Sequence, residues 1–131
     1  MAKGGDVEAA EQILNRMLAE GVEPDVVSYK MLLGACNKQG DSQRAYAWFK
    51  MMQDRGVVPN TMCYNLLINV YARTGDVDGA VRCLKEMRQT DVLPDRVSFN
   101  TMIKAFARNG DIAGAEYWYN EMQEMGVEAD V

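Results

Sequence analysis

The chain has 131 residues, 48% of them apolar and 25% charged, with a net charge of −5 and an isoelectric point near 4.7. It contains no histidine, which excludes Cys₂His₂ zinc sites, Ser-His or Cys-His nucleophile pairs and the usual physiological acid-base group. No stretch approaches the roughly 20 apolar residues of a membrane-spanning helix, so no membrane insertion by this segment is expected.

Seven helices are predicted in chain order. The first runs over 7–20, with Ala10, Ile13, Leu14 and Met17 at helical spacing. A second, 26–38, follows Pro24-Asp25 and carries Tyr29, Leu32, Leu33 and Cys36; proline stops the preceding helix because it pushes its neighbour out of the α region. A third, 42–55, begins after Asp41, whose short carboxylate can cap the first turn, and its stripe is Ala45, Trp48, Phe49 and Met52. The same two patterns then recur: 61–73 with Tyr64, Leu67, Ile68 and Tyr71; 77–90 with Ala80, Cys83, Leu84 and Met87; 96–108 with Phe99, Met102, Ile103 and Phe106; 112–125 with Ala115, Trp118, Tyr119 and Met122. No strand-like alternation interrupts them. Gly21, Gly56 and Gly126 close three of the second helices, and Asp91 stands where the fourth would have glycine, a less comfortable turn.

The recurrence has a fixed period of 35 residues, seen in Pro24, Pro59 and Pro94, in Gly5, Gly40, Gly75 and Gly110, and in the aspartate after each of those glycines. Register kept without insertion means stacked copies of one helix pair, an all-α solenoid in which each unit buries its apolar face on its neighbours. Alanine at one place in four copies (Ala10, Ala45, Ala80, Ala115) points to close helix approach, and the methionine and aromatic stripes read as core. Cys36, Cys63 and Cys83 form no C-x-x-C pair and match small or apolar residues in the other copies, so they are expected to be packing residues in a reducing, intracellular compartment. Complete units fall at 26–60, 61–95 and 96–130, preceded by a partial unit, 1–25, that holds a second helix. Met1 aligns with Tyr71 and Phe106, and Val131 with Val26, so the chain is expected to be a window on a longer array with any targeting segment outside it.

Charge is distributed unevenly. The first-helix segments 26–39, 61–74 and 96–109 hold Lys30, Lys38, Arg73, Arg96, Lys104 and Arg108 and no acid; the other eight basic residues and all 19 acids lie elsewhere. Lys38, Arg73 and Arg108 repeat at the 35-residue interval and Lys3 continues the series. One cation per unit suits a phosphate backbone climbing a groove, and a cation in a last helical turn also complements the helix dipole; both readings stand.

The 35-residue period, the Val-Ser-Tyr and Val-Ser-Phe-Asn openings, Ala-Arg-x-Gly-Asp between helices, the late methionine and the closing Gly-Val-x-Pro-Asp resemble the pentatricopeptide repeat over the whole chain. The resemblance implies a right-handed α-solenoid of stacked antiparallel helix pairs that needs no cofactor and no metal. It also implies single-stranded RNA as partner, one base per repeat, in a chloroplast or mitochondrion. No DNA is expected. The fifth and last residues of a repeat would read the base edge: Asn65 with Asp95, and Asn100 with Asp130, a combination that prefers uridine. Val27, Met62 and Val97 would sandwich the bases, and Lys38, Arg73, Arg108 and Lys3 would touch phosphates. The first complete unit departs from the pattern, with Lys30 beside Asn60, a donor-only side chain where base reading wants an amide. An alternative partner is a protein complex, the repeat fold serving as a scaffold at the periphery of an organellar photosynthetic or respiratory assembly. The acidic exterior favours that alternative. No catalytic constellation is found, so no enzyme activity is expected of these residues.

Overall fold

The computed structural model describes residues 4–127, with side chains from Val7 on. Within them the chain forms α1 (Gly4–Ala19), α2 (Val26–Gln39), α3 (Ser42–Asp54), α4 (Thr61–Arg73), α5 (Val77–Gln89), α6 (Arg96–Arg108) and α7 (Ile112–Glu124), with no strand. None of these helices is long and apolar enough to cross a membrane.

Local chemistry sets the boundaries. Asp25, Asn60 and Asp95 hold extended backbone and accept the N–H of Ser28, Cys63 and Ser98 at 3.1, 3.0 and 3.1 Å, which starts α2, α4 and α6. Asp41, Asp76 and Asp111 start α3, α5 and α7 in the same way, accepting from Arg44, Gly79 and Gly114. Helix α1 begins at Gly4 rather than at the expected residue 7, so position 6 falls within it. After α2, α4 and α6 the chain turns through Gly40, Gly75 and Gly110 in the left-handed region (φ 75, 83 and 81°). Asp91 reaches the same region, φ 63°, with a side chain attached, so this turn is the strained one.

Helices α2, α4 and α6 pack on one another in a continuous row, and each also contacts the helices before and after it in the chain. No such close backbone contact joins α1, α3, α5 and α7, which form an outer row spaced further apart. Long side chains bridge that row: Glu11 accepts from Trp48 Nε1 at 2.7 Å and pairs with Arg44 at 3.0 Å, Gln53 donates to Glu86 at 3.1 Å, and Arg88 pairs with Glu121 at 3.1 Å. A tight inner row and a looser outer row curve the stack, with α2, α4 and α6 on the inside.

One contiguous core runs between the rows. Tyr29, Phe49, Tyr64 and Phe99 are buried within it, together with Met52, Met87 and Met122, and all of the alanine positions are buried too. Cys36, Cys63 and Cys83 are buried thiols, and burial pushes Cys36 up to about 11 and Cys83 to about 12; none is a ready nucleophile. Three predicted stripe residues lie outside the core, Met17 half-buried and two others exposed. Ile13 is 50% exposed and Tyr119 41%, because they sit on α1 and α7, the outermost helices, with no further helix against them among the described residues. Trp118 is buried, Trp48 half-buried, and Tyr46 and Tyr117 exposed.

Alanine is only part of the close approach. A Cβ on Gly79 would stand 2.6 Å from the Tyr71 ring, and one on Gly114 would stand 2.4 Å from the Phe106 ring. The first complete pair has Cys36 at the aromatic position and Arg44 at the glycine position, so bulk is exchanged between partners. Gly79→Ala therefore forces the buried Tyr71 ring to move and is expected to cost about 1–3 kcal/mol. Gly34→Ala, in the middle of α2 with open space around it, is expected to add about 0.5–1 kcal/mol. Thermal unfolding of the two variants checks the pair; a shift of the same sign in both would refute the packing argument.

Candidate nucleic-acid interface

The inner row presents the N-terminal turns of α2, α4 and α6 side by side. Because α6 lies against α4 one period further along, the residue that caps α6 comes opposite the fifth residue of the unit before it. Asn65 Nδ2 donates to Asp95 Oδ1 at 3.0 Å, and the Ser98 hydroxyl donates to Asn65 Oδ1. Asp95 thus caps a helix and holds a neighbouring amide with one oxygen. Burial pushes its carboxyl up, but the hydrogen bonds from Asn65 and Ser98 outweigh burial and hold it below the usual carboxylate range. It is an ionised acceptor at neutral pH; this stabilisation is lost only as pH falls through the depressed value.

Met62 and Val97 flank this pair and are 53% and 55% exposed, and with Asn37, Asn60 and Asn69 they line a cleft of about 510 Å³. Asn69 Nδ2 donates to Asn37 Oδ1 at 3.1 Å across the α2–α4 seam. Val27 is 60% exposed one unit earlier. Three apolar side chains at one register, each half out of the surface, make slots between successive units.

The other predicted pairs differ. Asn60 spends its Oδ1 on the Cys63 N–H, and the half-buried Lys30 makes no ion pair among the described residues. Asn100 is half-buried on α6; its partner Asp130 lies outside the described residues, as does Lys3. Lys38, Arg73 and Arg108 stand exposed in the last turns of α2, α4 and α6. Arg73 Nη1 donates to the Asn37 carbonyl of α2, its neighbour in the inner row. Among the described residues the ion pairs are Arg44–Glu11, Arg55–Glu23 and Arg88–Glu121, and none involves this cation row. Ser98 and the Asn37–Asn69 amide pair were not singled out from the sequence. A serine at 28 and 98 with cysteine at 63 was the available signal, but its meaning depends on which side chain the next unit places opposite.

The model of the PPR repeat family matches residues 59–108 and 94–131, and that of the pentatricopeptide repeat domain matches residues 1–39 and 12–74. No curated protein matches the chain. Among solved structures, the pentatricopeptide repeat protein PPR10 in complex with an 18-nt psaJ RNA element is 29% identical, with a TM-score of 0.79 over 98% of this chain and 19% of that one. The PPR domain of Arabidopsis thaliana protein-only RNase P 1, crystallised with tRNA, shares the fold at 16% identity and a TM-score of 0.80 over 95% of this chain. So does A. thaliana nuclear proteinaceous RNase P 2, at 14% identity and a TM-score of 0.81 over 90% of this chain. The chain spans 64%, 19% and 25% of the RNase P 1 domain, PPR10 and RNase P 2 respectively.

Proposed function

The chain belongs to the pentatricopeptide repeat family, and from that premise we propose that it is a non-catalytic module that binds single-stranded RNA along its concave face, one base per repeat, in organellar RNA metabolism. Units 26–60, 61–95 and 96–130 are the reading units, and 1–25 contributes the second helix of another. The observation that carries the reading is the Asn65–Asp95 pair, set between the exposed Met62 and Val97 in an open cleft. A base slides between the two apolar side chains, and its edge meets an amide and a carboxylate. That donor–acceptor combination suits uridine, and Asn100 with Asp130 repeats it in residue type. Lys38, Arg73 and Arg108 run beside the slots without an acidic partner among the described residues, as suits phosphate contacts. The solved complex of PPR10 with RNA supports the same partner.

Fluorescence anisotropy with labelled U-rich and A-rich single strands, at low and at moderate salt, tests the proposal. The expected result is binding that favours the U-rich strand and weakens with salt. No binding at low salt would refute it. In that event the outer face becomes the candidate surface, since Tyr46 stands exposed on α3 and Tyr117 on the acidic α7, and both fit a protein partner. That scaffold reading requires stoichiometric protein to co-purify after nuclease treatment.

A further inference from the structure

Ser98 is fully buried, and it is the buried polar side chain in a core otherwise made of apolar residues among those described. Its backbone N–H donates to Asp95 Oδ1 at 3.1 Å and its Oγ accepts the Asp95 N–H at 3.1 Å, a reciprocal box at the start of α6. That box would form on any helix. What is particular here is the hydroxyl proton. Oγ lies against Asn65 Oδ1 and also 3.1 Å from Asp95 Oδ1. Asp95 Oδ1 already receives the Ser98 N–H and Asn65 Nδ2, so the single proton goes to the Asn65 oxygen, which takes no other donor among the described residues.

A carboxamide is nearly symmetric in shape and antisymmetric in hydrogen bonding. Turned one way it matches the edge of uracil, where N3–H donates and the flanking carbonyls accept. Turned over, it matches cytosine, where N3 accepts and the amino group donates. An asparagine free to turn reads both pyrimidines. In this chain the amide is held from two sides by the next helix: the carboxylate, which can only accept, takes Nδ2, and the hydroxyl donates to Oδ1.

We propose that Ser98 is a positioning residue that fixes the orientation of the Asn65 amide and so makes the second complete unit discriminate uracil from cytosine. The inference rests on the RNA-binding reading above and specifies how that site chooses its base. The locked amide keeps one N–H and one lone pair for the cleft, and Asp95 Oδ2 remains an additional acceptor beside them. Cys63 occupies the same register one unit earlier, and a buried thiol is a weak donor. There Asn60 receives a backbone N–H and, among the described residues, no side-chain donor. The Lys30–Asn60 unit therefore has no such lock and contributes no choice between pyrimidines.

Three proteins test this: the chain as it is, Ser98→Ala, and Ser98→Cys, the last keeping the shape of the side chain with a weaker donor and matching the natural Cys63. Each is titrated with oligouridine and oligocytidine of equal length, and the Asn65 side-chain amide is followed by ¹⁵N NMR. The unaltered chain is expected to prefer oligouridine. Both variants are expected to lower the uridine-to-cytidine affinity ratio by about fivefold, the worth of one net hydrogen bond, with a smaller change in oligouridine affinity itself. In NMR, the two Asn65 N–H signals of the unaltered chain become mobile in both variants. An unchanged ratio in a Ser98→Cys protein that melts like the parent overturns the lock and leaves the RNA reading standing. Failure of the unaltered chain to bind either strand overturns that reading and the base choice with it. An Asn65 amide equally ordered in all three proteins overturns the lock without reference to RNA.

Discussion

Reversing Lys38, Arg73 and Arg108 to glutamate together is expected to lower affinity for single-stranded RNA by about 100-fold or more at low salt. If each cation neutralises one phosphate, the slope of log affinity against log salt should also flatten by about two, three contacts at roughly 0.7 each. The three side chains stand exposed at one register of the inner row, and none takes part in the ion pairs of the outer helices. Their other role sets the control. A cation in a last helical turn is worth about 0.3–1 kcal/mol to the helix itself, and Arg73 also donates to the Asn37 carbonyl. The reversed protein should therefore melt somewhat earlier while remaining folded at the temperature of the binding assay. RNA affinity and salt slope both unchanged in a folded triple variant would remove the cation row from the interface.

Phe49→Ala is expected to cost about 3–5 kcal/mol, a large share of the stability of a domain this size. The ring is fully buried at the α3–α4 junction and meets Tyr64 edge-on at 4.9 Å, and Tyr64 is held in turn through its hydroxyl to Thr90 at 3.2 Å. In a stack where each unit touches only its neighbours, stability is a sum of unit terms and junction terms. Emptying one junction should thus do more than shift a midpoint. Urea unfolding followed by circular dichroism is expected to separate into two steps, with α1–α3 and α4–α7 melting apart. A single transition at the parent midpoint would refute the junction's importance.

How far these features could be read from the sequence depends on the range of the interaction that encodes them. The starts of α2, α4 and α6 fall where predicted, at Val26, Thr61 and Arg96. A cap and the proline before it are signals contained within a few residues. The core stripes were legible for the same reason, being periodic within one helix. Ile13 and Tyr119 were misplaced because a stripe records which face is apolar and not whether another helix covers it. Gly79 and Gly114 needed a comparison between helices, since their smallness answers the rings of Tyr71 and Phe106. At the candidate site, the resemblance named Asn65 and Asp95, and the register of the repeat explains why they meet. That they bond to each other, with Ser98 behind them, follows from the spacing of α4 and α6 and from the hydroxyl at 98, which no single unit displays.

The unequal spacing of the two helix rows has a mechanical consequence. Close-packed α2, α4 and α6 resist separation because any opening uncovers apolar surface, whereas the outer seams are spanned by Glu11–Arg44, Gln53–Glu86 and Arg88–Glu121. Such polar links on flexible stems can lengthen or swivel at little cost. The stack is therefore a spring, stiff on its inner edge and compliant on its outer one. It changes pitch by opening and closing its outer seams while the inner spacing, and with it the step from one slot to the next, stays constant. Added salt weakens the two ionic seams and softens the coil without altering that step.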